Sequence, residues 1–211
     1  MKKIGLLLLA FFCFAKFSFA QVNELQFRLV LSDGESGSVS FEKLTDNRGK
    51  DLKVSKEILL SNKDIDRIAI DKAYWGDYLL FIIFSTAGKD KLFSVTQKNI
   101  KRNIAVVMND KVFCAPVIME PNRKGSLDVV LPSSVIPEEI IKQLGFCPYI
   151  RRKIQNKNDE NASVGYVKYA MERNRPDIAI DIVKQLNEFN PDSGSLKQLK
   201  VEYPTLNKAK E

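Results

Sequence analysis

Histidine does not occur among the 211 residues. That removes Ser-His-Asp and Cys-His catalysis, His-ligated zinc or haem, and imidazole general-base chemistry. What remains is three cysteines, Cys13, Cys114 and Cys147, and scattered carboxylates. Glu138 and Glu139 are adjacent, so on a helix they point to different faces, and at a helix start the dipole accounts for both. Asp64 and Asp66 stand one residue apart without the further oxygen ligands or the glycine of a calcium loop. There is no P-loop and no Gly-x-Gly-x-x-Gly. The expectation is no catalytic residue, no metal ligand and no cofactor. The alternative is a carboxylate or thiol enzyme, whose mark would be acids clustered in a pocket. Arg151-Arg152-Lys153 reads as a solvated linker run, contact with anionic phospholipid being the other use of such charge.

The first twenty residues are set apart before charge is weighed. Lys2 and Lys3 precede an uncharged apolar run from Ile4 to Ala15, and Ser18-Phe19-Ala20 puts small residues where a signal peptidase reads. This is the layout of a secretory signal peptide, with cleavage expected between Ala20 and Gln21. Lys16 ends the run short of the roughly 20 apolar residues of a spanning helix, so an uncleaved anchor is the lesser reading. Cys13 follows Ala10-Phe11-Phe12 rather than the small residues of a lipoprotein signal. Cleavage leaves 30 basic against 26 acidic residues, a net charge of +4 instead of +7. That is too mild for nucleic acid, whose binders carry clustered basic stripes. The longest later uncharged stretch, Tyr78 to Gly88, is eleven residues, too short to cross a bilayer. A soluble, extracytoplasmic mature protein without a transmembrane segment is expected.

From Leu25 to about Phe146 short apolar runs alternate with polar turns and two helical patterns, which predicts an α+β unit with a mostly antiparallel sheet. Leu25 to Leu31 reads as a strand ended by Ser32-Asp33-Gly34, and Gly34 to Leu52 as a loop with a short hairpin around Val39 to Phe41. Ile58 to Asp66 reads as a helical turn. Ile68–Asp71 and Tyr78–Phe84 read as an antiparallel pair joined around Trp75-Gly76-Asp77. A helix follows, with Ser85 or Thr86 as N-cap and Leu92, Phe93, Thr96 and Ile100 on one stripe. Ile104–Met108 and Val112–Ile118 flank Asn109-Asp110, a two-residue turn that tolerates positive φ. Pro116 has no N–H, so it is expected at an edge or with that missing group turned away from its partner. Leu127–Leu131 is a further strand. Pro137, the stripe Ile136/Ile140/Ile141/Leu144 and Gly145 define a second helix.

Phe84-Ser-Thr-Ala-Gly88, Val95-Thr-Gln-Lys-Asn99 and the hairpin from Ile104 through Asn109-Asp110 to Ala115-Pro116-Val117-Ile118 resemble the periplasmic P1 head subdomain of the SecD/SecDF protein-export subunit. The resemblance runs from about Leu25 to Leu144 and is strongest from Phe81 to Glu120. Asn109-Asp110 stands where the family prefers Asp-Gly, Cys114 where it has Ser, and Gly125-Ser126 is all that remains of a glycine-rich stretch. In that family the head rides on a proton-driven membrane bundle, which this chain does not carry. The resemblance therefore implies the head fold and a place among polypeptides in transit, not the motor.

The tail reads as helical. Val164, Val167, Ala170 and Met171 form one stripe, Asn174-Arg175-Pro176 breaks it, and Ile178, Ala179, Ile182, Val183, Leu186 and Phe189 form another that ends at Asn190-Pro191-Asp192. The expected organisation is a signal peptide over residues 1–20, a head-like domain over 21–148, a linker over 149–161 and a helical hairpin with its tail over 162–211. Pro176 to Pro191 is similar to the second half of one tetratricopeptide repeat, but Val167 and Ala170 replace that repeat's Gly and Tyr, and such repeats need about three copies to bury a core.

After cleavage Cys114 and Cys147 are the remaining thiols. In an oxidising compartment they could be bridged, closing a 33-residue loop. The resemblance implies no inherited bridge, and a buried free thiol is the other reading. The functional expectation is a non-enzymatic envelope binding module that holds a polypeptide or a partner protein by a sheet edge or by the helical tail.

Overall fold

The computed structural model describes residues 23–32, 35, 39–46, 48–72, 78–131 and 135–210. The signal-like segment with its cleavage point, Asp33-Gly34 and Trp75-Gly76-Asp77 lie outside the described residues.

Nine strands and five α-helices are described. β1 (Leu25–Leu29), β2 (Phe41–Asp46), β3 (Asp51–Ser55), β4 (Leu60–Ser61), β7 (Ile104–Met108) and β8 (Lys111–Cys114) form one sheet in the order β3-β2-β8-β7-β1-β4. Its pairs are antiparallel except β2 with β8, which runs parallel at Thr45↔Lys111 and Asp46↔Val112. Just past β1, Val30 bridges Val54 of β3, and the Leu31 N–H donates to the Lys53 carbonyl at 2.8 Å. The sheet thus curls back on itself into a small barrel, with β4 attached outside. Leu44, Val54, Ala105, Val107 and Val112 fill the interior, with Val30, Leu52 and Ala115 packed against them.

β7 explains why two cores can share one sheet. All five of its residues are buried: Ala105 and Val107 face the barrel interior, while Ile104, Val106 and Met108 face outward into the second core. A strand covered on both faces reads as a continuous apolar run. β1 follows the same alternation, with Leu25 and Phe27 in the outer core and Arg28 buried on the other side. Arg28 donates to the Ser55 carbonyl at 2.6 Å and to the Glu42 carboxylate, so it ties β1 to β3 and β2.

The second sheet, β5 (Ile65–Lys72), β6 (Tyr78–Phe84) and β9 (Ser126–Val130), is antiparallel in the order β5-β6-β9. Ile68, Ile70, Leu80, Ile82 and Phe84 meet Phe27, Leu92 of α1 (Thr86–Lys98) and Ile141 of α2 (Pro137–Gln143) in the outer core. The Ser85 hydroxyl caps α1 by accepting from the Gly88 N–H at 3.1 Å. α1 stops at Lys98, so Ile100 leaves the predicted stripe and is exposed. Gly145 closes α2 with φ +83, where its N–H donates to Lys142 and that of Phe146 to Ile141; a residue without Cβ suits this left-handed position.

Three expectations are corrected. Within the stretch expected as a loop with a short hairpin around Val39 to Phe41, Phe41–Asp46 and Asp51–Ser55 pair as the β2–β3 hairpin, because Leu44 and Val54 fill the barrel and Leu52 packs against them. The turn expected over Ile58 to Asp66 is β4, a short 3₁₀ turn (Asn62–Asp64) and the start of β5. The stretch read as a linker is structured: the Ile70 N–H donates to Tyr149 at 2.7 Å and the Arg151 N–H to Ile70 at 2.9 Å, adding 149–151 alongside β5 as a parallel bridge. α3 (Lys157–Glu172) begins inside that stretch.

The tail holds three helices rather than two. α4 (Pro176–Phe189) buries the predicted stripe from Ile178 to Leu186. α5 (Gly194–Glu202) adds Leu196 and Leu199, and a 3₁₀ turn (Pro204–Lys210) adds Leu206. The Ser193 hydroxyl caps α5 and donates to the buried Glu160 carboxylate of α3. Tyr166, Val167, Ile178 and Leu196 belong to the same core as Phe27 and Ile82. Among the described residues both cores lie between Leu25 and Leu206, so a chain of residues 21–211 contains all of their described members.

Candidate functional site

A cleft of about 710 Å³ opens where the β2–β3 turn, the exit of β8 and the end of β9 converge. Leu52, Phe113, Ala115 and Leu131 supply apolar surface, while Arg48, Lys50 and Asn103 are polar members of its lining. The turn is preset by Asp46, whose carboxylate accepts from the Arg48 and Lys50 N–H groups at 2.9 Å each. The bond from Lys50, with that from Arg48 adding to it, holds the Asp46 carboxyl below its ordinary range. Two cations beside one committed carboxylate leave the rim positive. On the far side the Asn103 amide donates to the Ala115 carbonyl at 2.7 Å and fixes the β8 exit against β7.

β9 closes the cleft as an edge strand: among the described residues its ladder partner is β6. Leu131 donates to the Tyr78 carbonyl, and the Gly125 carbonyl accepts from Phe84. In an antiparallel ladder alternate residues face the partner, so the main-chain groups of Ser126, Asp128 and Val130 point away from β6. Val130, which lines the cleft, therefore presents a main-chain donor and acceptor on that side.

Of the residues singled out in the sequence, Cys114 and Ala115 line this cleft and the others do not. Asn109 and Asp110 form the β7–β8 turn with φ +52 and +58, the left-handed pair expected of a tight hairpin. Pro116 follows the end of β8, its carbonyl accepting from Ile104 at 3.0 Å. In an antiparallel ladder the nitrogen and carbonyl of one residue face the same neighbour, so the N–H that Pro116 lacks would have pointed at Ile104 of β7, and the expectation of an edge position or a nitrogen turned away from the partner is corrected. Cys114 and Cys147 are free thiols, Cys114 at the cleft and Cys147 buried in the segment that follows α2. Glu138 accepts from the Tyr166 hydroxyl at 2.6 Å, whereas Glu139 is exposed. Among the described residues no group of three or more potential ligands could hold a metal. The basic run is committed to ion pairs: Arg151 with Asp71, Arg152 with Asp159 and Lys153 with Glu188. Asp46, Arg48 and Lys50 also line the cleft, and the loop expected over this stretch gives them no role. The turn pattern Asp46-Asn47-Arg48-Gly49, with Gly49 at φ +78, was the signal that could have found them.

Burial pushes the Cys114 thiol up to about 11, which keeps it protonated and poorly nucleophilic at neutral pH. Alkylation of the native protein at pH 8 should accordingly run about a hundredfold slower at Cys114 than at an unperturbed thiol. The rate should go on rising towards pH 11. A plateau near pH 8, read by mass spectrometry of the modified peptide, would contradict this.

Fold and cleft together define an α+β protein in which a curled sheet and a second, edge-bearing sheet flank one groove. Residues 38–132 match the SecDF P1 head subdomain, which bears out the resemblance read from the sequence over that stretch. No curated protein matches the chain. The similar solved structures include a membrane component SecDF that enhances protein export (22% identity, TM-score 0.47, covering 59% of this chain and 62% of that one). Two others are SecDF in a super-membrane-facing form (16%, 0.46, 89% and 28%) and SecDF, a translocon-associated membrane protein from Thermus thermophilus (21%, 0.38, 59% and 19%). The chain thus spans less than two thirds of each. No helix among the described residues is long and apolar enough to cross a membrane.

Proposed function

We propose that this protein is a non-enzymatic binding module of the cell envelope that holds an extended polypeptide segment in the cleft, along β9. The observation that carries the reading is the juxtaposition of the outward main-chain groups of Asp128 and Val130 with an apolar, positively rimmed groove. Strand addition uses main-chain hydrogen bonds for affinity and flanking pockets for side chains, so it is weakly selective for sequence, as handling of chains in transit requires. The match to the P1 head subdomain supports a role beside protein export. The signal-like pattern of the N-terminus supports delivery across the membrane, with cleavage after Ala20 as part of the proposal. The lack of histidine and the protonated Cys114 speak against the thiol enzyme.

The test is to immobilise residues 21–211 and offer one secreted protein in unfolded and folded forms. The unfolded form should be retained and the folded form should pass. Val130→Pro removes the outward N–H without touching the ladder to β6, and each main-chain bond contributes about 0.5–1.5 kcal/mol. Retention should therefore weaken by about threefold to tenfold, while Val130→Ala changes it little. Equal retention of both forms, or of both variants, would refute strand addition at β9.

A further inference from the structure

The surface formed by α1 and the 116–125 segment has a composition that the cleft does not use. Met119 is 77% exposed, Val117 48% and Ile100 41%. The three are neighbours: the Lys101 N–H donates to the Ile118 carbonyl at 2.7 Å, the Ile118 N–H to the Arg102 carbonyl at 2.9 Å, and Asn103 bridges Val117. The segment then crosses α1, where the Asn122 N–H donates to the Thr96 hydroxyl at 2.8 Å and the Arg123 guanidinium lies 4.9 Å over the Phe93 ring. The Lys89 stem lies against Gly125. Lys89, Lys98, Lys101, Arg123 and Lys124 are exposed on this surface, against Asp90 and Glu120 as exposed acids. Arg102 is spent on Glu35, and Lys91 on Asp64.

We propose that this face docks on an anionic lipid surface, with Met119, Val117 and Ile100 entering the interface and the surrounding lysines and Arg123 meeting the headgroups. A surface cation near an anionic membrane contributes about 1 kcal/mol and the contribution fades within a Debye length, while small apolar side chains add interfacial burial. The local excess of three positive charges is the complement of such a surface, and the exposed apolar residues distinguish it from a merely soluble basic face. This goes beyond polypeptide binding and uses different residues.

Co-sedimentation of residues 21–211 with vesicles decides it. The protein should bind vesicles of phosphatidylglycerol with phosphatidylethanolamine, remain free with phosphatidylcholine, and be released by salt. Val117→Asp with Met119→Asp should reduce the bound fraction about tenfold, as should Lys98→Glu with Lys101→Glu, each with an unchanged circular dichroism spectrum because these side chains are exposed. Lys43→Glu with Lys56→Glu, on the β2–β3 hairpin, should bind like the parent. No binding to the anionic vesicles, undiminished binding by the aspartate pair, or an equal loss in the hairpin control would overturn the proposal.

Discussion

Arg28→Ala should destabilise the fold by about 3 kcal/mol, which a denaturant titration would show as a lower midpoint at unchanged slope. The side chain is 6% exposed and joins three strands, through Ser55 on β3, Glu42 on β2 and its own place on β1. Truncation strands the Ser55 carbonyl and leaves a hole where the guanidinium crossed. An unsatisfied buried acceptor costs about 1–3 kcal/mol and the lost packing adds to that. Glu42 recovers part by turning to water, being about one third exposed. Arg28→Met with Glu42→Leu removes the polar groups together and should restore much of the loss, since paired apolar replacement of an ion pair is often neutral. A loss under about 1 kcal/mol for the single variant would show that Arg28 does not tie the strands.

Gly88→Ala is the second large effect. A Cβ there would stand 2.0 Å from the Asp64 carbonyl oxygen, the same oxygen that accepts from the Ser85 N–H at 2.9 Å and its hydroxyl at 3.2 Å. The first turn of α1 is thus pressed against the chain entering β5, and only a residue without Cβ allows it. Separating the two backbones breaks both bonds, and a loss of about 3 kcal/mol follows. In thermal unfolding that is about 6–12 °C for a chain of this size. Ala87→Gly, at the exposed neighbouring position, should cost only about 1 kcal/mol from helix propensity. Equal effects at the two positions would show that the approach to Asp64 does not constrain the fold.

These two residues mark where the sequence was legible. The Ser85 cap, the Asn109-Asp110 turn, Pro137 and Gly145 act through neighbours within a few positions, and each stands where local rules put it. Gly88 belongs to the stretch from Phe84 that carries the family resemblance, but the reason for a glycine there, a carbonyl 24 positions away, is tertiary. The β2–β3 hairpin escaped because a strand in so small a barrel needs few inward side chains; β2 buries only Leu44. α5 escaped because its buried stripe is Leu196 and Leu199 alone. The cleft was hardest to see. Its lining comes from the β2–β3 hairpin, Asn103, residues 113–115 and the end of β9, and nothing in their spacing brings them together before the sheet curls.

The closing of the barrel also sets the order in which the chain can fold. β1 finds its partner in β7, with Leu29 opposite Ile104 and Leu25 opposite Met108, some 75 to 83 positions downstream. Pairings of such high contact order form slowly, and neither Phe27 nor Arg28 has its full surroundings until β7 is in place. In a chain delivered from its N-terminus, whether by a ribosome or through a narrow conduit, β1 waits for its β7 partner until about the first hundred residues have emerged, so the first strand is completed late.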